Sequence, residues 1–156
     1  MNSNFNMAFD VLMKVEGGLV DDPRDLGGLT KFGISKKAYP NLDIENLTLE
    51  QAKEIYKKDY WDKCKCDDLP PSFDIAVFDT AVNMGPGKAI MLLQKAVREK
   101  VDGVLGEKTL AAANKAGQDE LRRLLLYRLF DYSQQHGYSY YKNGWFDRLL
   151  VISGAI

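Results

Sequence analysis

Residues 73–82 constrain the fold more than any other stretch. Phe73, Ile75, Ala76, Val77, Phe78, Ala81 and Val82 cover nearly the whole circumference of a helix. A helix with no polar face has nothing to offer water, so neighbouring elements must enclose it. Pro70-Pro71 breaks the chain before it, and Gly85-Pro86-Gly87 stops it. Its polar exceptions are Asp74, Asp79, Thr80 and Asn83, the last two near its end, where a cleft can open.

The rest of the chain supplies the enclosing helices. Phe5, Ala8, Phe9, Leu12 and Val15 fall at helical spacing, with Ser3 or Asn4 as N-cap. A short helix is expected from Ile34 to Tyr39, stopped by Pro40. Thr48 with Gln51 forms a capping box before a helix that runs to about Trp61. Further helices follow Gly87 and Gly106. The longest is expected over about Asp119 to Gln135, and a Tyr-rich turn, Tyr138 to Tyr141, leads to a last helix with Trp145, Leu149 and Ile152 on one face. Residues 17–33 lack a helical period and are rich in Gly and Asp, which suits either a β-hairpin or an irregular loop, with Lys31 to Gly33 as one more short strand. The class is therefore mainly α, with about eight helices and a small β element after the first. At 156 residues and 46% hydrophobic content, one domain over 1–156 is expected, with a weak seam near Gly85 to Gly87 that sets off 87–156 as a subregion.

Composition excludes several functions. A net charge of -1 gives no global basic field for nucleic acid or anionic membrane. Arg122, Arg123 and Arg128 form either a local basic patch or, as expected, a solvated face with ion pairs. The only cysteines, Cys64 and Cys66, stand too close in sequence for an unstrained disulfide and lack partners for a zinc site, so they are expected as reduced structural thiols. His136 is the only histidine and sits among polar residues, as a surface helix-end residue would. No metal or cofactor is expected. No run of about 18 apolar residues exists, so stable membrane insertion is not expected. The N-terminus has no basic region followed by an apolar core, so a secretory signal is not expected and export would fall to another component.

The chemistry concentrates between Glu16 and Thr30, E-G-G-L-V-D-D-P-R-D-L-G-G-L-T. Glu16 lies four residues after Leu12, so an acid occupies a position where the apolar stripe asks for a core residue. Gly17 follows as a C-terminal cap. Partial burial and the negative end of the helix dipole both oppose the charged form, so the pKa of Glu16 is expected to rise, as a general acid requires. The alternative is a solvated helix-end carboxylate. Asp25 sits in a polar loop and is expected to stay ionised. One raised and one ionised carboxylate are the parts of a glycosidic hydrolysis site, with Asp25 activating water and Thr30 as a second hydrogen-bond partner. Asp21, Asp22 and Asp25 could instead hold a hard cation, although the spacing is not that of an EF-hand.

A set of ordered pieces resembles a known family. They are Phe9 with E-G-G at 16–18, D-x-G-G-x-T at 25–30, F-G-I-S at 32–35 and Y-W at 60–61. F-D-x-A-V-N-x-G at 78–85, L-Q at 93–94, D-G-x-x-G-x-x-T at 102–109 and G-W-x-x-R at 144–148 complete the set. Together they cover nearly the whole chain and resemble glycoside hydrolase family 108, the N-acetylmuramidases found as phage endolysins or prophage products. The resemblance implies a lysozyme-like multi-helix fold with Glu16 as catalytic acid. Glu16, Asp25 and Thr30 are also similar to the Glu, Asp or Cys, Thr pattern of phage-type lysozymes, with Thr30 one residue nearer than in that pattern. The 102–109 run resembles peptidoglycan-binding helical modules, or is a structural turn. The implied substrate is a peptidoglycan glycan strand, the implied site of action the cell wall, and the implied export partner a holin-type pore. A monomer is expected. A lytic transglycosylase using Glu16 alone, and a non-catalytic wall-binding or secretion-accessory protein, are the alternatives.

Sugar rings present apolar faces, so Tyr39, Tyr60, Trp61 and Trp145 are candidates for cleft walls, with core packing as the alternative for each. Asn83, beside the Gly-Pro-Gly turn, is placed to hydrogen-bond an N-acetyl group. Asp79, one turn earlier, is expected in a buried structural role.

Overall fold

A computed structural model describes residues 3–16 and 28–156. Among them are seven α-helices and one two-stranded antiparallel sheet. Helix α1 spans Ser3–Val15, β1 Thr30–Lys31, β2 Ile34–Ser35, α2 Leu49–Tyr56, α3 Phe73–Met84, α4 Pro86–Ala96, α5 Glu107–Lys115, α6 Gln118–Ser133 and α7 Tyr138–Ser153. The mainly α class is as expected.

Helix α3 is the centre. Phe73 through Ala81 are buried without a break, so even Asp74, Asp79 and Thr80 are enclosed. Helices α1, α4, α6 and α7 pack against it. Phe5 and Phe9 of α1 join Tyr56, Trp61 and Phe78 in an aromatic cluster with ring centroids 5.3–6.4 Å apart. The first and last helices also meet, α1 against α7. Asn4, expected as an N-cap, already lies within α1, and its amide donates to Asp74 at 2.8 Å.

The capping box forms as expected: Gln51 N donates to Thr48 Oγ1, and Thr48 N to Gln51 Oε1. The helix it starts does not stay α-helical to Trp61. Residues Lys57–Trp61 make a π-helical turn, closed by Asp62 N donating to Lys57 O. The buried positions therefore step from Ala52 to Tyr56 by four and then to Trp61 by five. One extra residue in the turn sends Trp61 into the core and leaves Tyr60 half-buried.

Three further expectations need correcting. No helix runs from Ile34 to Tyr39: Ile34 and Ser35 pair with Lys31 and Thr30, leaving a single turn before Pro40. So few residues cannot offset the cost of helix nucleation. Gly33, expected in a strand, lies in the turn between the two strands. Tyr138 to Tyr141 is not a turn but the first turn of α7. The cysteines are free and buried, and burial raises the pKa of the Cys66 thiol.

The D-G-x-x-G-x-x-T run folds back on the buried Gln94. Its Oε1 accepts from Asp102 N and Gly103 N at 3.0 and 2.9 Å, and its Nε2 donates to Asp102 Oδ1 and Val104 O at 2.8 and 3.0 Å. One amide thus satisfies the backbone of a tight loop, which explains both the L-Q and the D-G pieces structurally. Among the described residues no helix is long and apolar enough to cross a membrane.

Candidate active site

Glu16 follows the last residue of α1, its N–H still donating to Leu12 O at 2.9 Å. Its side chain is 19% exposed, and its Oε1 accepts from Arg148 Nη1 at 2.7 Å. The expectation from sequence weighed burial and the helix dipole alone. The structure adds a guanidinium in direct contact with the carboxylate.

The hairpin shapes the other side of Glu16. Its two-residue turn, Phe32-Gly33, has φ of 51° and 77°, the doubly positive pattern of tight hairpins. The turn carries Gly33 against the acid so closely that a Cβ there would lie 2.6 Å from Glu16 Oε2 and 2.5 Å from Tyr56 Oη. The Tyr56 hydroxyl donates to Phe32 O at 2.8 Å and so ties α2 to the hairpin tip. Burial, with the nearby Glu16 charge second, raises the pKa of Tyr56, which keeps it a donor. Gly33→Ala is therefore expected to displace Glu16 or Tyr56. The overpacking should cost about 1–3 kcal/mol, with activity falling more than melting alone explains. Paired melting and turnover measurements check this, and unchanged turnover would contradict it.

Arg148 is held from behind. Its Nε reaches both oxygens of Asp79 at 3.0 and 3.1 Å, and its Nη2 lies 2.8 Å from Oδ1. Asp79 Oδ2 also meets Arg128 Nη1 at 2.6 Å. Two guanidiniums thus face two carboxylates, with Asp79 shared. Burial works against the Arg148 charge, but Asp79 and then Glu16 outweigh it and raise its pKa. Arg128 is fully buried, which corrects the solvated face expected for it. It lies on the inward stripe of Leu121, Leu124 and Tyr132, and its charge is balanced by Asp79 rather than by water. Arg122 is exposed, and Arg123 is half-buried with Nη1 donating to Ala96 O at 2.6 Å.

The remaining candidates divide into two groups. Near Tyr56, Tyr60 packs with ring centroids 5.6 Å apart, and the Tyr39 hydroxyl donates to Asp59 at 2.8 Å. Both rings are half-buried. Trp61 is 0% exposed, so it belongs to the core and is no cleft wall. At the far end of α3, Asn83 and Trp145 line the same groove. Thr30 Oγ1 donates to Gly28 O at 3.1 Å. Asp25, and the Asp21 and Asp22 of the cation alternative, lie outside the described residues.

Sequence reasoning passed over Arg148, Tyr56 and Gly33 as site residues. The signal for Arg148 was present: a cation three residues after Trp145, on the stripe that continues to Leu149 and Ile152, needs a buried anion. Asp79, on the all-apolar helix, was that anion.

The helical scaffold thus brings a carboxylate from the end of its first helix against a hairpin and a buried ion-pair cluster. A family model described as Glycosyl hydrolase 108 matches residues 9–85. A solved structure described as that of Brucella abortus SagA is 36% identical, with a TM-score of 0.87 over 99% of this chain and 95% of that one. No curated protein matches the chain. The chain belongs to the glycosyl hydrolase 108 family and is, in general terms, a peptidoglycan-degrading glycosidase.

Proposed function

We propose that the protein is a muramidase that hydrolyses the β-1,4 bond between N-acetylmuramic acid and N-acetylglucosamine, with Glu16 as general acid. The observation that carries this reading is the setting of Glu16. It is a mostly enclosed carboxylate that keeps 19% of its surface open and is fixed from one side by Arg148, with Gly33 and Tyr56 close against the other. In this reading Glu16 protonates the leaving oxygen. The carboxylate this leaves on Glu16 is held by Arg148, which also keeps its contacts to Asp79.

Asp25 activates the attacking water in this mechanism, assisted by Thr30 once its hydroxyl leaves the Gly28 carbonyl. Tyr39 and Tyr60 serve as walls for the sugar in this reading, which the packing of Tyr60 on Tyr56 supports. The glycan strand is the substrate. A holin-type pore is the export partner that the phage resemblance suggests, and the protein acts at the wall as a monomer.

Product analysis tests the chemistry. Digestion of purified peptidoglycan in heavy-oxygen water should give reducing muramic acid ends carrying the heavy oxygen. Anhydro ends would replace this reading with a transglycosylase that uses Glu16 alone, and wall binding without cleavage would replace it with an accessory role.

A further inference from the structure

We infer that Asn83 reads the acetamido carbonyl of a bound amino sugar, through an orientation that the buried arginine cluster imposes on it. The inference rests on the muramidase reading for its substrate and on local hydrogen bonding for its geometry. Arg128 Nε can only donate, so Tyr132 Oη, 2.9 Å away, must accept from it. The single hydrogen of that hydroxyl is then free for Asn83, whose Oδ1 lies 2.5 Å away. The order of donors is fixed along the chain: guanidinium to phenol, phenol to amide oxygen. Were the Asn83 amide turned over, Tyr132 Oη would have to accept twice and its own hydrogen would lose the Asn83 acceptor, so the orientation with the oxygen inward is favoured. Its oxygen is therefore committed inward, and its NH2 is left to face elsewhere.

No acceptor among the described residues takes those amide hydrogens. Asn83 stands where two hollows adjoin. One, of about 290 Å³, is also lined by Lys88, Asp131, Gln135 and Trp145. The other, of about 330 Å³, is also lined by Val15, Trp145 and Arg148, which places it beside the end of α1 and the arginine that holds Glu16. Asn83 and Trp145 border both. Trp145 is stacked on Tyr132, with centroids 4.9 Å apart and planes 13° apart, so its ring is braced from behind.

A half-buried amide offering only donors, next to an indole, suits a group with a carbonyl oxygen and a methyl. The acetamido substituent of an amino sugar has both. Lys88, paired with Asp131, and Gln135 offer the mixed donors and acceptors that sugar hydroxyls use. A de-N-acetylated sugar would bring an ammonium to the same donors, which have no lone pair to receive it. The site therefore distinguishes acetylated from deacetylated strands as well as binding them.

The test measures binding separately from cleavage. The probes are a β-1,4-linked N-acetylglucosamine tetramer and its de-N-acetylated counterpart, titrated calorimetrically into Glu16→Gln and into Glu16→Gln/Asn83→Asp. Aspartate keeps an acceptor for Tyr132 but has no N–H to give, so the fold is retained, as a melting curve will show. The single variant should prefer the acetylated tetramer by about tenfold. The double variant should lose that preference or reverse it, because a carboxylate accepts from an ammonium. Tyr132→Phe, which unlocks the amide, should weaken the preference as well. The same preference in both Glu16→Gln proteins, or no binding of the acetylated tetramer, would overturn the assignment. Wild-type cleavage products are scored on their own, so a wrong bond assignment and a wrong role for Asn83 give different results.

Discussion

Glu16→Gln leaves a folded protein whose turnover on peptidoglycan falls about 10²–10⁴-fold, the usual worth of a positioned general acid. The substitution keeps the shape of the side chain and an oxygen for Arg148 to contact, and it removes the proton that the leaving oxygen needs. Arg148 retains its contacts to Asp79, so the cluster behind the site should remain assembled. Clearing of a cell-wall suspension measures the activity, and a melting curve confirms the fold. Equal clearing by variant and wild type would remove Glu16 from the acid role.

The second large effect is on stability. Asp79→Leu removes the carboxylate shared by Arg128 and Arg148, both buried. Arg148 keeps Glu16, but among the described residues Arg128 is left with only the hydroxyls of Tyr132 and Thr80. Breaking a buried pair from one side costs about 3–5 kcal/mol. For a chain of this size that lowers the melting temperature by roughly 6–20 °C. Asp79→Asn keeps the volume and part of the hydrogen bonding, so it separates charge from packing and should lose less. If Asp79→Leu melts with wild type, the cluster does not hold α3, α6 and α7 together.

These two residues also show what was legible beforehand. Glu16 stood out because an acid broke the stripe of Phe5, Phe9 and Leu12, a local pattern that one helix carries by itself. Asp79 was expected to be buried, but neither of its partners was foreseen. Arg128 and Arg148 lie 49 and 69 residues further along, and helical periodicity says nothing about which helices will meet. Trp61 misled for another reason. An α-helical count places it away from the face of Ala52 and Tyr56, and only the π-helical turn, an irregularity of one residue, brings it round.

The sequence alone determined the mainly helical class, the buried α3, the capping box at Thr48 and the singular position of Glu16. Each follows from side chains within a few residues of one another, where helix geometry and capping act. Tertiary structure alone decided that Gly33 must be a glycine, that Arg148 bridges Asp79 to Glu16, and that Arg128 and Tyr132 set the direction of the Asn83 amide. Those outcomes depend on charge and shape meeting across distant segments, where a buried donor or ion is settled only by whatever the fold places beside it.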